Sequence, residues 1–142
     1  MPKRVTRVRS LGLQEFEASS AALARTLRPG DVVALSGPLG SGKTTFVAAA
    51  VRALHGNDAA TSPTFTFWHR YDGAPAINHL DLYRVERPEE LATLGLEEAF
   101  TEDAVVFVEW AERGHGMVPA DAIAVEISGA GEEPRDLEIR RP

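Results

Sequence analysis

Gly37, Pro38, Leu39, Gly40, Ser41, Gly42, Lys43 and Thr44 stand in the order G-x-x-x-x-G-K-T, with apolar residues before them and Thr45 after. Glycines at these places let successive backbone N–H groups converge on one point, and a helix starting directly behind the turn aims its positive end at the same point. An anion of several charges, a polyphosphate, suits such a cradle. Lys43 brings a point charge to β- and γ-phosphates, and the Thr44 hydroxyl is a hard oxygen donor of the kind magnesium takes. A Gly/Ser turn that merely caps a helix needs neither the lysine nor the strand before it, and here every position of the pattern is filled in a strand–turn–helix context.

Phosphate chemistry at such a loop needs a carboxylate near the metal and a group that positions the attacking water. Ala104 to Val108 is an apolar run that ends in Glu109, and Ile77, Asn78, His79 and Leu80 lead to Asp81. Ligands in parallel sheets sit outside the carboxyl ends of the strands, so both acids are candidates. Either is also readable as a solvated acid closing a strand. In "TSPTF", beginning about twenty residues past the loop, Thr61, Ser62 and Thr64 offer hydroxyls to a segment that senses a γ-phosphate. Trp110 follows Glu109 directly and either packs or stacks on the nucleotide.

Other chemistries lack their residues. The four histidines show no H-x-x-x-H or H-E-x-x-H spacing, and neither G-x-S-x-G nor G-x-G-x-x-G occurs. No [NT]-K-x-D run is present for guanine, which favours adenine. The expected cofactors are ATP or ADP with Mg²⁺.

These residues need elements to hold them. Val5 to Ser10 reads as a strand, followed by a helix in which Leu13, Phe16, Ser20, Leu23 and Leu27 recur at helical spacing up to a Pro29-Gly30 stop. Asp31 to Ser36 is a strand apolar on both faces, and a helix from Lys43 ends at Gly56. A strand entered near Phe65 and turned at Asp72-Gly73 pairs with Ala76 to Asp81 as a hairpin. Pro88 opens a pair of short helices that Gly95 divides. "AVVFVEW" is a further apolar strand, and the tail after Ala120 reads as a hairpin. The sum is a single domain over residues 1–142, an α/β three-layer P-loop NTPase-like fold with a mixed sheet, parallel in the centre and antiparallel at its edges.

The chain has 142 residues, 44% hydrophobic and 25% charged, with a net charge of −6 and no cysteine. An acidic chain is poorly suited to gripping nucleic acid alone. Lys3, Arg4, Arg7 and Arg9 read as solvated positions of an edge strand. Without cysteine, disulfides are excluded. No run approaches the ~20 apolar residues of a membrane span, so the expectation is a cytoplasmic protein that meets no membrane.

"SGPLGSGKTTF", "SPTFTF", "HLDLYR", "LGLEE" and "VEWAER", in this order, resemble the TsaE (YjeE) family of bacterial P-loop ATPases over about Gly30 to Arg113. The resemblance implies ATP binding and hydrolysis in service of threonylcarbamoyladenosine formation in tRNAs that read codons beginning with A. It implies work with the partner proteins TsaD and TsaB, so that tRNA is met only through their complex. It assigns Lys43 and Thr44 to phosphate and magnesium, Thr61 to Phe65 to nucleotide sensing, Asp81 and Glu109 to the metal's surroundings, and Trp110 to the nucleotide. Pro38 stands where the family often has an acid and Ala111 where it usually has proline. A small-molecule kinase on the same loop is the competing reading. It needs an arginine-bearing lid, for which Arg70, Arg84 and Arg113 are candidates, and an acceptor pocket, and little chain remains after Trp110 for both.

Overall fold

The computed structural model describes residues 4–56 and 67–142. Among these, seven strands form one sheet in the order β1-β7-β6-β2-β5-β4-β3. The strands are β1 (Arg4–Leu11), β2 (Val32–Ser36), β3 (Trp68–Tyr71), β4 (Ala76–Asp81), β5 (Ala104–Glu109), β6 (Ile123–Ser128) and β7 (Arg135–Arg141). β6, β2, β5 and β4 run parallel, while β1 with β7, β7 with β6, and β4 with β3 pair antiparallel. The parallel centre and antiparallel edges are those the sequence predicts.

Strand side chains alternate between faces, so each central strand feeds two cores. Val33, Leu35, Val105 and Phe107 pack with Phe16 and Leu23 of α1 (Leu13–Ala24) and Phe46, Val47 and Val51 of α2 (Lys43–His55). Val32, Val106 and Val108 pack on the opposite face with Leu91 of α3 (Pro88–Thr93) and with Leu96 and Ala99 of a 3-10 turn. Helices on both faces make three layers. β5 is buried along its whole length, as an apolar run between two helical layers requires.

The larger departures from the pattern are at two boundaries. α1 stops at Ala24 instead of continuing through Leu27, because Thr26 and Leu27 bond the carbonyls of Leu23 and Ala24 and tighten the chain into a turn. Leu27 is buried all the same, which is what its hydrophobic spacing signalled. Trp110 leaves β5 in a left-handed conformation, φ 57°, so the strand ends at Glu109. The expected entry to β3 near Phe65 lies outside the described residues, and β3 begins at Trp68. At the other edge, Arg7 pairs with Glu138 of β7 at 3.0 Å, in keeping with a charged edge strand.

α1 and α2 are joined through Phe46, whose ring meets Phe16 edge-on at 5.8 Å and whose carbonyl accepts the Ser20 hydroxyl at 2.5 Å. Phe46→Ala should therefore lower the unfolding free energy by about 3–5 kcal/mol, the usual result of emptying a close-packed aromatic site. Urea denaturation reads this as a lower midpoint at unchanged slope; a midpoint within error of the parent would place the ring outside the core.

Candidate functional site

The turn between β2 and α2 is shaped by two glycines. At Gly37, φ 153°, an added Cβ would lie 2.6 Å from the Ile127 carbonyl oxygen, so the loop's start passes too close to β6 for a side chain. Gly42 caps α2 with φ 105°, a conformation that carries little penalty only without a Cβ. Lys43, Thr44 and Thr45 follow as the first turn of the helix.

Lys43 is 4% exposed. Its Nζ donates to the carbonyls of Gly37 at 2.7 Å and Pro38 at 3.0 Å, lies 3.4 Å from the Ser41 hydroxyl, and stands 4.1 Å above the centroid of the Trp110 ring. Burial holds its pKa below the usual lysine value, with the carboxylates of Glu109, Glu112 and Asp81 pulling it back up. The Thr44 hydroxyl is 2.9 Å and 3.1 Å from the two Glu109 carboxylate oxygens and donates its one hydrogen between them.

Sheet register explains the acids. Leu35 pairs with Glu109 and Asp81 with Glu109 in adjacent parallel strands, so β5 carries its last residue to the same edge at which β2 releases the loop. His79, Asp81, Phe107 and Glu109 share the face that looks toward α2. Glu109 is 3% exposed. Asp81 accepts the Tyr83 N–H at 3.0 Å and its pKa is raised, first by burial and then by the negative charge of Glu109.

A cavity of about 400 Å³ opens between these groups, lined among others by Leu39, Gly40, Lys43, Thr44, Asp81, Glu109 and Trp110. A second cleft, about 500 Å³, lies across the loop between Phe16 and Leu13 of α1 and the turn from Gly131 to Arg135; Gly42, Thr45 and Arg135 line both.

Two neighbouring carboxylates beside a threonine hydroxyl make a hard-oxygen donor set suited to magnesium. Thr44, Glu109 and Asp81 are the residues that could hold it. The loop's dipoles and Lys43 suit phosphate oxygens, and Tyr83 and Trp110, 5.0 Å apart, wall the cavity beyond them.

The structure thus brings together Lys43, Thr44, Asp81, Glu109 and Trp110 as the sequence proposed. Thr61, Ser62 and Thr64 lie outside the described residues. Arg113 is near the cavity, 5.1 Å from the Trp110 ring, whereas Arg70 is engaged by Asp72 and Asp103 and Arg84 lies over Phe67. Three residues were missed. Tyr83 lay in "HLDLYR" without a role. His79, fully buried, has Nε2 2.5 Å from Glu109 Oε2; its signal was the two-residue spacing from Asp81, which puts both on one strand face. Arg135 had no local signal. Its guanidinium donates to the carbonyls of Ser41 at 2.7 Å and Gly40 at 3.1 Å, and to those of Gly131 and Glu133, bracing the loop from 94 residues away.

Fold and site together define an α/β protein in which a glycine-rich loop joins a central parallel strand to a helix, opposite two strand-end carboxylates. The family model described as "Threonylcarbamoyl adenosine biosynthesis protein TsaE" matches residues 12–137, and the chain belongs to that family. It is similar to the tRNA threonylcarbamoyladenosine biosynthesis proteins TsaE of Bacillus subtilis, 36% identical with 91% of this chain and 81% of the relative covered, and of Treponema pallidum, 29% identical with 92% and 96% covered. The crystal structure of Bacillus subtilis YdiB superposes with a TM-score of 0.78 at 30% identity, covering 99% of this chain and 88% of that one. Among the described residues no helix is long and apolar enough to cross a membrane.

The raised pKa of Asp81 carries a stability signature. A folded-state pKa above the unfolded one means that ionisation opposes folding, so stability is lost as pH rises through the folded value. Asp81→Asn keeps the acceptor for Tyr83 and removes the charge. The nucleotide-free variant should melt above the parent at pH 7.5, with the gain vanishing below the ordinary aspartate range near pH 3.9. Paired melting curves at the two pH values decide it, and a gain of equal size at both would remove the charge as its cause.

Proposed function

We propose that this chain binds magnesium–ATP at the loop from Gly37 to Thr44 and hydrolyses it to ADP and phosphate, as an accessory to threonylcarbamoyladenosine modification of tRNAs that read codons beginning with A. The observation that carries the reading is the contact of Thr44 with Glu109, which links the loop's last residue to a buried strand-end carboxylate. Lys43 and the loop's N–H groups hold the β- and γ-phosphates. The adjoining cleft, with Phe16 and Leu13 on one wall, offers an apolar slot to the base. Magnesium would supply neutralising charge at the phosphates, and Thr44 with the carboxylates of Glu109 and Asp81 are the residues that would hold it.

Glu109 orients the attacking water by accepting its hydrogen, and Trp110 covers Lys43 and limits water access. Such groups act where charge develops in the transition state, so their worth lies in turnover more than in binding. TsaD and TsaB are the partners the family resemblance implies, and the cytoplasm is the compartment where they would be met. With a net charge of −6, the chain meets tRNA through those partners and not by its own surface.

Two variants separate binding from chemistry. Lys43→Ala should weaken magnesium–ATP binding at least about tenfold by calorimetry, the loss of one charge-assisted phosphate contact. Glu109→Gln should cut phosphate release, measured with TsaB and TsaD present, by ~10²-fold while changing ADP affinity little. Undiminished turnover in Glu109→Gln would remove that carboxylate from the reaction.

A further inference from the structure

We propose that His79 is the positioning residue of this site: through one hydrogen bond to Glu109 Oε2, its imidazole sets the rotation of the carboxylate that faces Thr44. The inference rests on the role given to Glu109 above. His79 lies on β4, 30 residues from Glu109 in the chain, and shares its strand face with Asp81. It is 1% exposed.

The terminal torsion of a glutamate is broad and nearly two-fold, so a carboxylate needs an asymmetric partner to fix it. Thr44 does not provide one: at 2.9 and 3.1 Å, its hydroxyl serves the two oxygens almost equally. His79 does, because Nε2 meets Oε2 at 2.5 Å. Oε2 is thereby committed to the protein, and Oε1 is the oxygen left for water or a cation.

The other ring nitrogen argues that this contact is the reason for the residue. Among the described residues, His79 Nδ1 is the buried side-chain nitrogen or oxygen without a hydrogen-bond partner. An unpartnered buried polar atom weakens the fold, and an aliphatic side chain between Ile77 and Phe107 would avoid it. Among the described residues a histidine here keeps a single polar contact, and that contact goes to the carboxylate on Thr44. Because a carboxylate oxygen only accepts, the contact uses a hydrogen on Nε2.

Two substitutions and one spectroscopic measurement test this. His79→Leu removes the donor at similar volume, and His79→Gln returns an amide N–H at the reach of Nε2. With TsaB and TsaD present, His79→Leu should lower kcat for ATP hydrolysis by at least about tenfold, the usual size for an outer-shell partner, with KM and magnesium-free ADP affinity within about threefold of the parent. His79→Gln should recover kcat to within about threefold. In the nucleotide-free parent, ¹⁵N imidazole spectra should show a hydrogen of His79 on Nε2, with that resonance shifting in Glu109→Gln. His79→Met carries the same comparison if the leucine variant does not fold.

A merely structural histidine predicts the reverse pattern: a lower melting midpoint, kcat retained, and no rescue by glutamine. Retained kcat in a folded His79→Leu, glutamine no better than leucine, or the absence of a hydrogen on Nε2 overturns the inference while leaving the ATPase reading intact. A parent chain that neither binds nor hydrolyses ATP overturns that reading, and this inference with it.

Discussion

The hydrogen bond between Thr44 and Glu109 spans 65 residues of chain and ties the first turn of α2 to the last residue of β5. For it to form, β2 and β5 must be adjacent, parallel and in the register that sets Leu35 beside Glu109. The loop must also bend back within a few residues, which Gly37 permits by running against the Ile127 carbonyl where no side chain fits. Both cores serve that geometry. Phe107 beneath Glu109 packs on α2, and Val108 anchors the opposite face of β5 against α3 and its neighbours. The contact is therefore a report on the whole sheet.

Around it the charges are arranged in tension. Lys43 is buried and its ammonium is held by carbonyl dipoles and the Trp110 face, while Glu109, Glu112 and Asp81 lend it negative surroundings. Asp81 is held back from ionising by burial first and then by the field of Glu109. Burial strengthens each of these interactions and also makes each uncompensated charge expensive. A buried site of this kind gains stability from any ligand that binds the folded state and not the unfolded one. The left-handed backbone at Trp110 belongs to the same economy, since a bulky residue in that conformation persists only when its surroundings demand it.

The edges of the sheet contribute differently. β7 pairs with β6 and with β1, and its first residue, Arg135, reaches the carbonyls of Gly40 and Ser41. The terminal hairpin thus supports the glycine-rich loop directly instead of only closing the sheet. That a guanidinium spends its donors on backbone carbonyls, with planar geometry suited to several acceptors at once, makes it a brace that a lysine would not replace.

Much of this was readable from local pattern. The loop from Gly37 to Thr44, the continuous apolar runs of β2 and β5, and the helix closed by Gly56 are short-range features in which composition and spacing nearly dictate conformation, and Asp81 and Glu109 followed from the rule that such strands present ligands at their carboxyl ends. The family resemblance rested on "SGPLGSGKTTF", "SPTFTF", "HLDLYR", "LGLEE" and "VEWAER". What needed the tertiary structure were pairings between distant segments: the choice of Thr44 as the partner of Glu109, the contact of His79 with the same carboxylate, and the reach of Arg135 across to Ser41. Nothing in a periodicity of two tells which strand lies alongside, because neighbour and register are set by the packing of both faces at once. The end of α1 shows the same division on a small scale. Leu27 carried the hydrophobic spacing and is buried as expected, but the turn that buries it, bonded back to Leu23 and Ala24, is decided by how the chain must descend to enter β2.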